Sequence, residues 1–116
     1  MNKRKFVFIG DEVVMGKNVN YQEFVFIPNG VTIGDNVFIG PHVCFTNDKH
    51  PPSKGKEWKP IVVEDNVVIG ANATILPGVT LKHDCVVGAG AVVTHNVREH
   101  TTVVGNPAKY LTEYPK

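Results

Sequence analysis

The chain has 116 residues, 12 Lys and Arg against 11 Asp and Glu for a formal net charge of +1, and 42 % hydrophobic residues. That suffices for one domain and is too little for two independent cores. The charge balance excludes the basic excess that broad nucleic-acid or membrane-surface binding needs, and the two cysteines do not make a disulfide framework.

Behind the basic start Met1 to Lys5, the apolar run Phe6 to Ile9 is too short for a signal-peptide core. No stretch approaches the ~20 apolar residues of a membrane span. The expectation is a soluble, cytoplasmic protein forming a single domain over 1–116, with neither membrane nor nucleic acid among its partners.

From Ile9 onward a period of six dominates the chain. Steps of six from Ile9 reach Met15, Tyr21, Ile27, Ile33, Ile39 and Phe45, and the residue two places before each stop, from Val7 to Val43, is valine seven times in seven. The register resumes at Val63, Ile69, Ile75, Leu81, Val87 and Val93, with Ile61, Val67, Ala73, Val79, Cys85 and Ala91 two places earlier. Two inward positions separated by one outward residue make a very short strand. Turn chemistry comes after each strand, as at Gly34-Asp35-Asn36, Asp65-Asn66 and Pro77-Gly78, residues that tolerate the positive φ of a sharp corner. Three strands and three corners close a triangular coil of three hexads, and coils stack at the inter-strand distance of about 4.8 Å. Cys85 falls at an inward position and reads as a buried thiol; Cys44 falls outward beside Phe45. Such a solenoid has little core and exposes flat strand faces that association would cover.

The period breaks over residues 46–60, a stretch holding three of the eight prolines, four lysines and the single tryptophan, Trp58. Long non-repetitive loops in compact domains are often functional. Because Phe45 and Val63 stand one full coil apart, the loop either replaces a coil or is inserted at a corner.

The ladder resembles the left-handed parallel β-helix of the hexapeptide-repeat acyltransferase family, over about residues 7–46 and 61–105. The resemblance implies an all-β fold with a protruding mid-chain loop, and a short C-terminal tail over 106–116 with any helix confined to positions after Pro107. It also implies a homotrimer with active sites between subunits. It alone supplies the left-handed crossovers, which run against the usual rule for parallel strands.

The string from Phe45 through Thr46, Asn47, Asp48 and Lys49 to His50-Pro51 looks like the loop start of nucleotide-sugar N-acetyltransferases. The segments Ile75 to Thr80, Val87 to Thr94 and Gly105 to Lys109 look like the coenzyme A half of the wider family. Position 50 is usually aromatic in the amino-sugar group and is His here. Sugar O-acetyltransferases of the maltose and galactoside type carry a catalytic His before Pro, but three places after the Thr, not the four that separate Thr46 from His50. At 116 residues the chain is also short for the amino-sugar group, whose members usually carry more N-terminal coils.

Acetyl transfer from a thioester needs a deprotonated acceptor, a stabilised oxyanion and aligned reactants. His50 is the expected base, Asp48 its orienting group or the holder of an acceptor ammonium, and Asn47 the residue positioning the acceptor nitrogen, as the resemblance implies. Acetyl-CoA is the expected cosubstrate. Its pantetheine arm would pass Gly70-Ala71 and Gly88-Ala89-Gly90, and its adenine and phosphates would lie near Gly105-Asn106-Pro107 and Lys109. Lys82 and Arg98 read as solvated surface, and Trp58 as loop packing.

The leading expectation is therefore an N-acetyltransferase acting on a nucleoside-diphosphate-linked amino sugar of the 3-amino-3,6-dideoxyhexose type. The alternative is a sugar O-acetyltransferase with His50 as base. A γ-class carbonic anhydrase site is disfavoured: His95 and His100 have the spacing of two zinc ligands, but Lys59 stands where the third would be, so no metal is expected. A non-catalytic scaffold is the remaining reading.

Overall fold

A computed structural model describes residues 6–111. The chain winds through strands of two or three residues each. Ahead of the loop come β1 (Phe8–Ile9), β2 (Val14–Met15), β3 (Asn20–Tyr21), β4 (Phe26–Ile27), β5 (Val31–Ile33), β6 (Phe38–Ile39) and β7 (Cys44–Phe45). Behind it come β8 (Ile61–Val63), β9 (Val68–Ile69), β10 (Thr74–Ile75), β11 (Thr80–Leu81), β12 (Val86–Val87), β13 (Val92–Val93), β14 (Thr102–Val104) and β15 (Lys109–Tyr110). Through β13 every third strand pairs in parallel. Sheet I runs β1-β4-β7-β10-β13, sheet II β2-β5-β8-β11, and sheet III β3-β6-β9-β12-β14-β15. The result is the left-handed parallel β-helix, a three-sided prism with sheets as faces and turns as edges.

The two inward residues of each strand fill the prism. From Val25 to Val93 both ladder positions of every strand are buried, and Cys85 is among them with its thiol pushed up to about 11 by burial. No polar residue is buried among the described residues. Each buried aliphatic side chain contributes on the order of 1.5–3 kcal/mol. The first coil is different: Val7, Val13, Met15, Val19 and Tyr21 are only half-buried and Ile9 is exposed, because no described coil stacks on that end.

Register settles how the loop joins the helix. Val14 pairs with Thr32, one coil on, whereas Val31 pairs with Ile61, two hexads further than one coil. The loop is therefore inserted at the edge between sheets I and II and replaces no coil. The last coil is short instead. Val86 pairs with Thr102 and Leu81 bridges Val97, each partner standing two places nearer than a full coil, so the chain sheds two positions in the corner after β13. That correction brings Val97 and Val103 inward, where an unbroken step of six from Val93 would have reached Glu99.

No helix occurs among the described residues. After Pro107, where the sequence left room for one, the chain folds back as β15, antiparallel to β14 with Val103 opposite Tyr110. Gly105 makes the reversal at φ +95, and the outer edge of β14 offers unpaired backbone groups that a strand can satisfy and a helix cannot. The Arg98 guanidinium lies 3.9 Å from the centre of the Tyr110 ring, fixing the returning strand. Residues 112–116 of the expected tail lie outside the described residues.

Coil contact explains two of the glycines. A Cβ at Gly70 would stand 2.6 Å from the backbone nitrogen of Ala89, and one at Gly88 would stand 2.8 Å from Val104 Cγ1. Backbone cannot move aside, whereas the Val104 side chain can rotate. Gly70→Ala should lower unfolding stability by about 1–3 kcal/mol and Gly88→Ala by clearly less. Urea denaturation of the two variants checks this, and equal losses would contradict it.

Candidate active site

The loop closes on a short antiparallel stem. Asp48 bridges Trp58, the Lys49 amide donates to the Glu57 carbonyl at 3.1 Å, and the Lys59 amide donates to the Asn47 carbonyl at 2.8 Å. Side chains fasten the base of the stem to the prism. Thr46 Oγ1 donates to the Ile75 carbonyl at 2.9 Å, and Asn47 Nδ2 donates to the Asn29 carbonyl at 3.0 Å. Inside the loop the Ser53 amide donates to Asp48 Oδ2 at 2.8 Å, and the Glu57 amide donates to Ser53 Oγ at 3.0 Å.

At the base lies a cavity of about 460 Å³. Thr46, Asn47, Asp48, Lys49 and Pro51 line it from the loop, Phe26 from β4, Leu76 and Pro77 from the turn after β10, and Thr94 from the turn after β13. Asp48 Oδ1 is buried with no hydrogen-bond partner, alone in this among the described side chains. Partial burial pushes the Asp48 carboxyl up, but hydrogen bonds from Ser53, from the His50 backbone and from the Trp58 side chain outweigh it and hold the group below its usual range. The carboxylate at the loop base is thus negatively charged at neutral pH, and its Oδ1 is shut off from solvent. A buried acceptor in that state is costly unless a ligand completes it.

A second cavity of about 320 Å³ adjoins the first and shares Lys49, Pro77 and Thr94 with it; Lys59, His95 and Asn96 extend its lining. A third, about 260 Å³, shares His95 and Asn96 with the second and reaches Lys109 and Tyr110 at the end of the prism. Together they trace a path from Asp48 past two lysines and a histidine to a third lysine. Its walls carry no carboxylate besides Asp48.

Of the residues singled out in the sequence, Asn47 and Asp48 meet at the first cavity. His50 does not line it. Its ring is 69 % exposed on the outer side of the loop, with Nδ1 2.5 Å from Glu57 Oε1. Trp58, 51 % exposed, keeps its contact with Asp48 inside the loop and also walls two smaller clefts with Asn29 and Asn47. Cys44 points out of sheet I between Phe26 and Thr74, half-buried, its thiol pushed up by burial.

Among the expected coenzyme residues only Lys109 borders the path. Gly70-Ala71, Gly88-Ala89-Gly90 and Gly105-Asn106-Pro107 lie on the edge between sheets III and I, across sheet I from the loop. Gly90, at φ +73, has nothing within 4 Å of the place a Cβ would take and leaves that edge open. Lys49, Lys59, Leu76 and Thr94 were missed as cavity residues. A signal existed: Leu76 and Thr94 stand one coil apart at outward corner positions, so the coil period alone stacks them on the loop edge.

Comparison with known proteins agrees with this architecture. A family model described as the hexapeptide repeat of succinyl-transferase matches residues 7–40 and 60–95, and the chain belongs to that hexapeptide-repeat family. It is 42 % identical over 77 residues to a 2,3,4,5-tetrahydropyridine-2,6-dicarboxylate N-acetyltransferase of Staphylococcus aureus, a match covering 66 % of this chain and 30 % of that one. The chain thus spans about a third of the length of the curated relatives it matches. Among solved structures it is similar to a hexapeptide-repeat acetyltransferase of Vibrio cholerae complexed with acetyl coenzyme A, at 33 % identity and TM-score 0.79, covering 95 % of this chain and 64 % of that one. A maltose O-acetyltransferase of Clostridium difficile matches at 26 % identity and TM-score 0.75, covering 95 % and 67 %.

The Asp48 hydrogen bonds carry a pH signature. Because the folded value lies below the ordinary 3.8, the order that the carboxylate lends the loop is complete above that value and is lost as pH falls through the lower folded one. Trp58, the single tryptophan, reports it. Its emission should shift in an acid transition below pH 3.8 that is missing in Asp48→Asn. A transition unchanged in the variant would remove Asp48 from the loop's hold.

Proposed function

We propose that the chain transfers the acetyl group of acetyl-CoA to the amino group of a nucleoside-diphosphate-linked amino sugar, of the 3-amino-3,6-dideoxyhexose type. The observation carrying this reading is the charged carboxylate of Asp48 in the lining of a largely apolar cavity beside Asn47. An ammonium or amine is drawn to such a carboxylate, which keeps its nitrogen at the loop base, while Asn47, its Nδ2 spent on Asn29, keeps an amide oxygen for the same nitrogen. The neighbouring lysines, Lys49 and Lys59, suit phosphate oxygens of the acceptor's diphosphate or of the coenzyme.

In the transfer, the amine lone pair attacks the thioester carbonyl, the new C–N bond forms, and collapse of the tetrahedral intermediate expels the coenzyme A thiolate. A base takes the amine proton, and the thiolate takes one in turn. His50 has the wiring for that role. Glu57 fixes Nδ1 as the protonated nitrogen, which leaves Nε2 as the acceptor. Since that ring faces out of the cavity, the reading places a second copy of the chain against it. The copies form a homotrimer in which the open edge at Ala71, Ala89 and Gly90 of one covers the loop edge of the next and carries the pantetheine arm.

One observation favours O-acetylation of a sugar hydroxyl instead, and it is this same His50–Glu57 pair, since an alcohol depends on a base more than an amine does. Free-thiol release from acetyl-CoA, measured with matched nucleotide sugars bearing 3-amino, 4-amino or only hydroxyl groups, separates the two. Release with the amino sugars alone is expected, falling roughly 100-fold or more in His50→Ala. Release with the hydroxyl sugars establishes the O-acetyl reading, and silence across the panel with no coenzyme binding overturns both.

A further inference from the structure

The edge between sheets II and III turns on one left-handed residue per coil. In the first three turns that residue is asparagine: Asn18, Asn36 and Asn66. Asn18 Nδ2 donates to Asn36 Oδ1 at 3.2 Å, joining the first two of these turns. In the last two turns the position passes to Asp84 and His100, which keep the turn at φ 62 and 56. Beside Asp84 stands a second imidazole, His83. Its ring meets that of His100 edge to face at 5.0 Å between centroids, and its Nδ1 lies 2.9 Å from Asp84 Oδ2. The His100 amide donates to the His83 carbonyl at 3.2 Å, so coil stacking itself holds the two residues together. One donor atom from each of the three side chains lies within 4.8 Å of the others. Asparagine already serves the turn in three coils. What the last two add is only groups that bind metals.

We propose that His83, Asp84 and His100 bind a divalent transition-metal ion of the zinc, nickel or cobalt kind. Two imidazoles and one carboxylate form the donor set that such borderline ions take, whereas calcium and magnesium demand oxygens. The three side chains lie on a different edge of the prism from Asp48 and the loop, so the ion takes no part in group transfer. It ties the shortened last coil to the coil before it, where the register changes. The electrostatics of the corner suit a cation. Three carboxylates, Asp84, Glu64 and Glu99, stand near enough to act on the His83 ring. Lys82 and His100 are the opposing cationic groups at that corner.

Titration calorimetry of the untagged protein with zinc, and visible absorption with cobalt, test the site. The variants Asp84→Asn and His100→Asn restore the residue of the earlier turns and so leave the fold intact, which equal unfolding temperatures without metal would verify; His83→Gln completes the set. A single ion per chain is expected, with an unfolding temperature that rises with metal concentration. Affinity should fall at least ~10-fold in His100→Asn and in His83→Gln. Absence of binding in the unmodified protein, or unchanged affinity in both histidine variants, overturns the proposal.

Discussion

Everything in this molecule depends on coils stacking in register, each inward side chain resting on the one a coil earlier. Strands of two or three residues hold almost no structure alone. What makes them stable is that Ile27, Phe45, Ile75 and Val93 form one continuous column inside sheet I, and that sheets II and III contribute their own. A one-residue slip would turn that column to solvent. The chain therefore tolerates changes of length only at corners, and only where the next strand returns to the same column. Both irregularities obey the rule. The loop leaves from one edge and comes back so that Val31 still meets Ile61, and the last coil sheds two positions so that Val87 still meets Val103.

This constraint also places the chemistry. Outward residues at successive corners stack into lines, so residues far apart in sequence share an edge. The loop edge gathers Asp48, Lys59, Pro77 and Thr94 into one run of cavities, while the edge between sheets II and III gathers His83, Asp84 and His100. A rigid prism with variable corners positions groups on separate edges without coupling them, and a ligand wider than one edge must bridge two chains or cross a sheet face.

The column was legible because burial demands an apolar residue at two positions in every six, and that demand leaves a count in the sequence. Val7 to Phe45 and Ile61 to Val93 display it without help from any neighbour. The loop's existence was legible for the same reason, as a gap in the count. Its manner of joining was not, since the stretch from Phe45 to Val63, one coil long, fits a missing coil as well as an insertion. The shortened last coil and β15 escaped because each depends on pairing with a partner strand whose position the local sequence does not encode. At the loop base, Asn47 and Asp48, singled out from the loop string, both line the first cavity. The exposure of His50 was not legible, because its direction follows from the Glu57 contact across the loop. Gly70 and Gly88 are also small where coil meets coil, a packing demand that the glycine strings do not separate from coenzyme contact.

The proposed reaction requires two edges that one chain keeps apart, and so requires a second copy to bring them together. Co-expression of two disabled variants tests this most directly: Asp48→Asn, which removes the acceptor's charge partner on the loop edge, and Ala89→Glu, which blocks the open edge between sheets III and I. Each alone should form trimers that release little thiol from acetyl-CoA. Mixed trimers contain sites built from the intact loop edge of one chain and the intact open edge of the other, and the account predicts that they recover activity. Mixed trimers as inactive as either variant alone would contradict a site shared between copies.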